Sequence, residues 1–249
     1  MEIFEVKDVG AIRQVTINNP RKKNALNRKA YIAIAKLLND AGKDNKVKCL
    51  ILTGKGDFFS SGNDLTQDFS DYPNDSIREQ PVTIMIEAFI KFSKLLVALV
   101  NGPAIGIGTT MLGLCDIVYC SENAYFYTPF TALGLCAEGC SSQTFPIIMG
   151  QSIANEMLFL NKKMSAQEAY RVGFVAQIYK HESEIFEKLK GIETLSLSSI
   201  MANKKLMRGP LIENLMKVNL AEVGEIGKLF QSDEAIEAMI RFASRKSKL

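Results

Sequence analysis

The sequence predicts an α/β core followed by a helical tail. Three observations carry that reading. Apolar runs of strand length alternate with stretches of helical periodicity over roughly the first 180 residues. Glycine-containing turns punctuate the runs. Beyond the segment "FVAQIYK", only apolar spacings of three and four residues remain.

Taken in order, "IFEVKDV" and "AIRQVTIN" flank Gly10 and alternate in part, which predicts a hairpin. "NALNRKAYIAIAKLLNDAGK" sets Leu26, Ala30, Ile34, Leu37 and Leu38 near helical spacing, with Asn27 positioned to cap the helix and Gly42 to stop it. "VKCLILTG" is continuously apolar, the pattern of a strand covered on both faces. A loop should then lead to a helix over about residues 77–93, a buried strand in "LLVALVNG", a short helix from Gly106, and strands in "DIVYCS" and "AYFYT". The tail segments "GPLIENLMKVNLAEVGEIGKLF" and "DEAIEAMIRFASRK" are predicted as helices of a subdomain over residues 191–249, behind a core of residues 1–190.

Composition bounds the function. The 249 residues are 47% hydrophobic and 23% charged, a globular balance with length enough for one large core or two modest ones. Thirty basic and 27 acidic residues are mixed along the chain, so the net charge gives no electrostatic case for a nucleic-acid partner. The five cysteines, an odd number without Cys-x-x-Cys spacing, read as free thiols. With His181 as its one histidine, set in the polar run "YKHESE", the chain can build no histidine-rich metal site, and no metal is expected. A Ser-His-Asp triad would depend on that same residue. The methionines from Met201 to Met207 are read as packing side chains.

No run approaches the ~20 apolar residues needed to span a bilayer, since "FIKFSKLLVALV" carries two lysines before Asn101-Gly102-Pro103. A soluble chain is expected. Its start lacks the layout of a secretory or mitochondrial leader, whereas Ser247-Lys248-Leu249 matches the carboxyl-terminal peroxisomal address. The expected location is the peroxisomal matrix, with the import receptor as a partner.

Two glycine-rich stretches follow buried strands. "NGPAIGIGTTMLG" has Met111 where a dinucleotide fingerprint needs glycine, and "TGKGDFFSSG" lacks the Gly-Lys-Ser/Thr ending of a phosphate loop. What remains is main-chain N–H groups at strand ends, able to converge on one oxygen. A further segment, "ALGLCAEGCSS", sets a single carboxylate, Glu138, among small and apolar residues between Cys136 and Cys140. An acid in such a setting should have a raised pKa.

The segments "NNPRKKNALN", "GDFFSSGNDL", "VNGPAIGIG", "CDIVYCSENAYFYTPFTALGL", "SAQEAYRVGFV" and "EAIEAMIRF" occur in the order seen in the crotonase (enoyl-CoA hydratase/isomerase) superfamily, which the chain resembles over nearly its whole length. Within it, the likeness is to the peroxisomal 3,2-trans-enoyl-CoA isomerases. The resemblance implies a spiral of repeated ββα units, a C-terminal helical subdomain that drives assembly into a homotrimer or a dimer of trimers, and acyl-CoA as the substrate with no separate cofactor. Relatives of this kind can also carry an acyl-CoA-binding domain ahead of the matched segment.

By the same resemblance, the main-chain N–H groups of Asn63 and Ile107 hold the thioester oxygen. Donors aimed at an enolate oxygen stabilise charge that develops only in the transition state, each contributing ~2.7–4 kcal/mol. The two glutamates with which the hydratases of the superfamily activate water fall on Thr110 and Phe130, neither of which can act as a carboxylate base. Glu138 falls on the single acid of the isomerases. Moving a double bond from carbon 3 to carbon 2 needs one proton removed at C2 and one returned at C4, and one carboxylate can do both. Those relatives carry proline before the acid; Ala137 here leaves the loop freer.

Ser60, Ser61, Gly62, Asn63, Asp64 and Leu65, with Leu26, are expected to line the CoA groove, and Arg21, Lys22 and Lys23 to meet its phosphates. Phe242 is expected near the nucleotide bound by a neighbouring subunit, or in the core. The implied function is conversion of cis- or trans-3-enoyl-CoA to trans-2-enoyl-CoA during β-oxidation of unsaturated fatty acids. Two alternatives stay open: a CoA-binding fold that serves interaction without catalysis, as in chromodomain-linked relatives, and a hydratase with an unexpected base.

Overall fold

The computed structural model of the protein describes residues 3–65 and 76–246, apart from the side chains of Met239 and residues 242–246. Strands β1 (Phe4–Val9) and β2 (Ile12–Ile17) form the expected antiparallel hairpin, with Gly10 at φ 57° in its turn. Helix α1 (Arg28–Lys43) starts where Asn27 Oδ1 accepts from the Ala30 N–H at 2.9 Å, a side-chain cap for an orphan donor. Strands β3 (Cys49–Gly54) and β4 (Leu95–Val100) then add parallel to β2, with α2 (Pro81–Lys91) between them in the chain.

After β4 come the short β5 (Ala104–Ile105) and α3 (Ile107–Thr110), then β6 (Ile117–Ser121) and β7 (Tyr125–Tyr127). Helices α4 (Ser141–Met149) and α5 (Gln151–Leu160) precede β8 (Met164–Ser165), α6 (Ala166–Arg171), β9 (Gln177–Tyr179) and α7 (Glu182–Lys190). The tail is α8 (Leu197–Leu229) and α9 (Asp233–Lys246). The main sheet runs β1-β2-β3-β4-β6-β9 and is parallel apart from the first pair; a small second sheet runs β5-β7-β8.

The continuous apolar strands are explained by a sheet covered on both faces. Leu50 and Leu52 of β3, with Leu96, Ala98 and Val100 of β4, join the large core beneath α1 and α2. The alternate residues Cys49, Ile51, Val97 and Leu99 meet Ile185 and Leu189 of α7 on the other face. Side chains as fully buried as Phe59, Phe89 and Phe126 each contribute ~1.5–3 kcal/mol of transfer free energy. The tail belongs to this same packing, since Leu215 and Val223 of α8 lie in the large core. Lys204 of α8 also pairs with Asp116 at 2.6 Å.

Three features differ from the sequence expectation. Helix α8 begins at Leu197, well before Gly209-Pro210, and runs through Pro210 without a break. Helices α4 and α5 carry no clear apolar stripe, because Ile147, Phe159 and Leu160 face outward. Met207 does not pack within this chain: it is 77% exposed, beside Leu206 at the same exposure. No helix among the described residues is long and apolar enough to cross a membrane.

Candidate active site

The segment of residues 60–64 is pinned from two directions. On one side, Ser61 N–H donates to Lys23 O, Leu26 N–H to Gly62 O and Asp64 N–H to Leu26 O, all at 2.8–2.9 Å. On the other, Ile105 N–H donates to Ser60 O at 2.9 Å, and Ser60 bridges Ala104 in parallel. A trans peptide points its C=O and N–H in opposite directions. The Gly62 carbonyl's bond to Leu26 therefore turns the Asn63 N–H away from that strand.

Gly62 has to be glycine on two grounds. Its φ is +85°, and an added Cβ would stand 2.6 Å from the Ile105 carbonyl oxygen. The turn before the segment is strained too, with Lys23 and Asn24 at φ 54° and 56°. Asn24 holds it: its side chain is buried, donates to Lys55 O and Phe58 O, and accepts from the Asn19 N–H.

Gly106, at φ +55°, opens α3 and brings the Ile107 N–H to Glu138. A Cβ on Gly106 would lie 3.8 Å from Glu138 Oε1 and 3.9 Å from Gly62 Cα, so the acid and both glycine turns meet at one place. Glu138 is partly buried and lines a cavity with Tyr31, Asn63, Phe130, Leu135 and Val223. Burial raises its pKa from 4.5 to about 8, the Glu222 carboxylate adds to the rise, and the Ile107 N–H offsets part of it. Tyr31 donates to Asn63 Oδ1 at 3.2 Å, and Arg28 donates to Gln80 at 3.1 Å across the same cavity lining.

The loop bearing Glu138 bends through two left-handed residues, Gly139 at φ 65° and Cys140 at φ 62°. Ser141 N–H returns to Glu138 O at 3.1 Å. The Cys140 and Ser142 N–H groups go to the two oxygens of Glu222, at 2.7 and 2.9 Å. Sequence spacing could not find this last residue, because Glu222 lies on α8 more than 80 positions away in an unremarkable helical run. Ala137 thus precedes an acid whose loop has anchors other than a proline.

The remaining residues expected at the site fall into place as follows. Asn63, Ile107 and Glu138 converge, and Leu65 lines the cavity at 39% exposure. Ser60 is fully buried, its hydroxyl bound to Asn24 O and the Gly62 N–H, while the Leu26 side chain lies in the core. Neither of these two side chains faces the groove, and their main-chain N–H groups are bonded to Pro103 O and Gly62 O, so the expectation that they line it as side chains does not hold. Asp64 is buried and pairs with Lys22 at 2.8 Å. Arg21, Lys22 and Lys23 are exposed beside this segment, with the Lys23 ammonium 5.0 Å from the Phe58 ring centroid. Phe242 lies in α9, but its side chain is outside the described residues, as are Ser247-Lys248-Leu249.

Phe130 is buried against the cavity, and Thr110 is buried behind the loop, where a Cβ on Gly139 would stand 2.6 Å from its hydroxyl. His181 is exposed at the start of α7, its N–H donating to Glu184. Burial pushes the Cys49, Cys115 and Cys120 thiols up to about 12 and Cys136, in the cavity wall, to about 11, so none is a ready thiolate. No group of three metal-ligating side chains occurs among the described residues.

The chain matches the family model for enoyl-CoA hydratase/isomerase over residues 7–248. It is 40% identical over 257 residues to enoyl-CoA delta isomerase 2 of Homo sapiens, covering 100% of this chain and 65% of that protein. It is 38% identical over 248 residues to enoyl-CoA delta isomerase 3, peroxisomal, of Mus musculus, covering 95% of this chain and 77% of that one. The chain therefore spans just under two thirds of the human relative's length. In three dimensions it superposes on the crystal structure of an enoyl-CoA hydratase/isomerase from Pseudoalteromonas atlantica T6c with a TM-score of 0.90, at 33% identity over 98% of each chain. Matched over almost its full length in sequence and in fold, the chain belongs to the enoyl-CoA hydratase/isomerase family.

Proposed function

We propose that the chain is an enoyl-CoA isomerase that converts cis- or trans-3-enoyl-CoA to trans-2-enoyl-CoA in the β-oxidation of unsaturated fatty acids. One observation carries the reading: Glu138, partly buried and the one carboxylate among the described residues that line the cavity, lies against the Ile107 N–H and beside the Gly106 turn, and shares that cavity with Asn63, Phe130, Leu135 and Val223. The names of the human and mouse relatives support the same chemistry.

In this reading, the Asn63 and Ile107 N–H groups hold the thioester oxygen. Glu138 takes a proton from C2, and the C–H electron pair delocalises into the thioester to give a dienolate whose negative charge rests on the thioester oxygen while the C3–C4 double bond is still in place. The carboxyl then returns the proton at C4, which turns the C3–C4 double bond into a single bond, forms the C2–C3 double bond and restores the carbonyl. Bonds and charge balance with one acid and two donors, so the reaction needs no separate cofactor. A carboxyl with a pKa near working pH serves in both directions, as base and then as acid. Hydration is disfavoured because Thr110 and Phe130 supply no second carboxylate, and Phe130 keeps water from the cavity wall.

Residues 60–65, with Leu26, would flank the pantetheine and adenine, and Arg21, Lys22 and Lys23 would face the phosphates. The exposed apolar side chains Ile147, Met207 and Leu211 line a cleft between α4 and α8 and suit coverage by further copies of the chain, as a homotrimer or a dimer of trimers. A peroxisomal location, with the import receptor as a partner, is part of this reading: Ser247-Lys248-Leu249 matches the peroxisomal address, and the mouse relative is named as peroxisomal.

The test is to mix the purified chain with trans-3-hexenoyl-CoA, follow the ultraviolet absorbance of the conjugated thioester and resolve the products by mass. Conjugation without a hydrated product is expected. Formation of 3-hydroxyacyl-CoA would make the protein a hydratase, and CoA binding without turnover would make it a binding module.

A further inference from the structure

We infer that Glu222 is a positioning residue for Glu138, clamping the loop that carries the acid and setting the charge it faces. This inference rests on the isomerase reading for its kinetic consequences, and on geometry alone for the clamp.

Glu222 is buried, at 6% exposure, in the middle of α8. A carboxylate there needs partners. Among the described residues it finds them at the loop after Glu138: the Cys140 N–H at 2.7 Å, the Ser142 N–H at 2.9 Å, and the Ser142 hydroxyl. These groups open α4, whose first residue is preceded by Cys140 in a left-handed conformation with no side-chain cap of its own. Glu222 therefore supplies from α8 the cap that the local sequence lacks. Both of its oxygens accept, the arrangement that suits the ionised form, although burial works against it.

The clamp sits two residues from the candidate acid. Gly139 and Cys140, both at positive φ, form a bend that must be held from outside, and Glu222 holds it. Cys140 Sγ adds a contact to Leu215 O at 3.4 Å on the same helix. The other ionisable groups around Glu138 are few. Cys136 and Cys140 on its own loop are pushed up and stay neutral. Glu225 on α8 pairs with Lys228 at 2.6 Å, and Arg28 and Tyr31 on α1 line the cavity. Glu222 is thus the neighbour whose negative charge bears on Glu138 most directly.

The experiment compares the wild type with Glu222→Gln and Glu222→Asp. Carbon-13 titration of the Glu138 side chain, identified by its loss in Glu138→Gln, needs no turnover. Glutamine keeps the shape, removes the charge and turns a donor toward one of the N–H groups. The Glu138 midpoint should fall by about one unit, and kcat should fall at least tenfold with KM within about threefold. Aspartate keeps the charge but retracts it by one methylene, so kcat should fall while the midpoint stays high. An unmoved midpoint with wild-type kcat in folded Glu222→Gln, or wild-type kcat in Glu222→Asp, would overturn the inference. If the wild type turned over no enoyl-CoA, the isomerase reading would fall, while the titration would still decide whether Glu222 sets the charge that Glu138 faces.

Discussion

Glu138→Gln is expected to lower kcat by about 10³-fold or more, because it removes the carboxyl proposed to take and return the proton, and to leave CoA binding within about threefold, because the N–H donors are main chain. The same variant has an opposite effect on stability. The Glu138 carboxyl is raised from 4.5 to about 8 in the folded protein, so between those values the folded chain holds a proton that the unfolded chain has released. Stability therefore declines as pH climbs through that window. By pH 9, burying the carboxylate costs on the order of a few kcal/mol. Glutamine carries no such cost. Thermal melts should show Glu138→Gln several degrees more stable than wild type at pH 9 and nearly equal to it at pH 4.5. An active variant, or an equal gain at both pH values, would count against a buried ionising acid.

Gly62→Ala is expected to reduce kcat by about 10²–10³-fold, through the donors and not the acid. The new Cβ would meet the Ile105 carbonyl oxygen at 2.6 Å, and main-chain atoms have no side-chain rotamer through which to yield. The Ile105–Gly106 segment must move away from residues 62–63, which separates the Asn63 and Ile107 N–H groups. The left-handed backbone at Gly62 adds strain of ~1–3 kcal/mol. Gly173→Ala supplies the control, since its φ is also positive, at 79°, yet nothing lies within 4 Å of its added Cβ. Steady-state kinetics and urea melts on both should show a shared loss of stability and a loss of activity only at Gly62. Equal kinetics would mean that the two turns need not be in register.

Much of the fold was legible because its cues are local. Asn27 caps α1 as its sequence position indicates, and the unbroken apolar runs of β3 and β4 are strands sandwiched between α1, α2 and α7. Helices α4 and α5 were not legible. Their outward apolar side chains blur the amphipathic pattern, and the start of α4 is capped by a residue from a distant helix. Helix α8 begins earlier than its sequence indicates: Gly209-Pro210 is a strong local stop signal, which packing against the sheet overrides through Lys204 on Asp116 and Arg208 on the Leu114 and Cys115 carbonyls. At the site, the glycine turns and the lone acid could be singled out from composition and spacing. Their meeting could not, since Gly62, Gly106 and Glu138 are joined only by tertiary structure. The same holds for Tyr31 and Glu222, ordinary residues on helices until the chain brings them to Asn63 and to the acid's loop.

The central claim is that one carboxylate carries the proton from C2 to C4. The measurement that reaches it most directly is a single turnover of 3-hexenoyl-CoA bearing deuterium at both C2 positions, in ordinary water, with the product analysed by mass and by NMR. The account predicts product that retains both deuterium atoms, one at C2 and the other at C4. Product that has lost one deuterium throughout, with only solvent hydrogen added at C4, would contradict it.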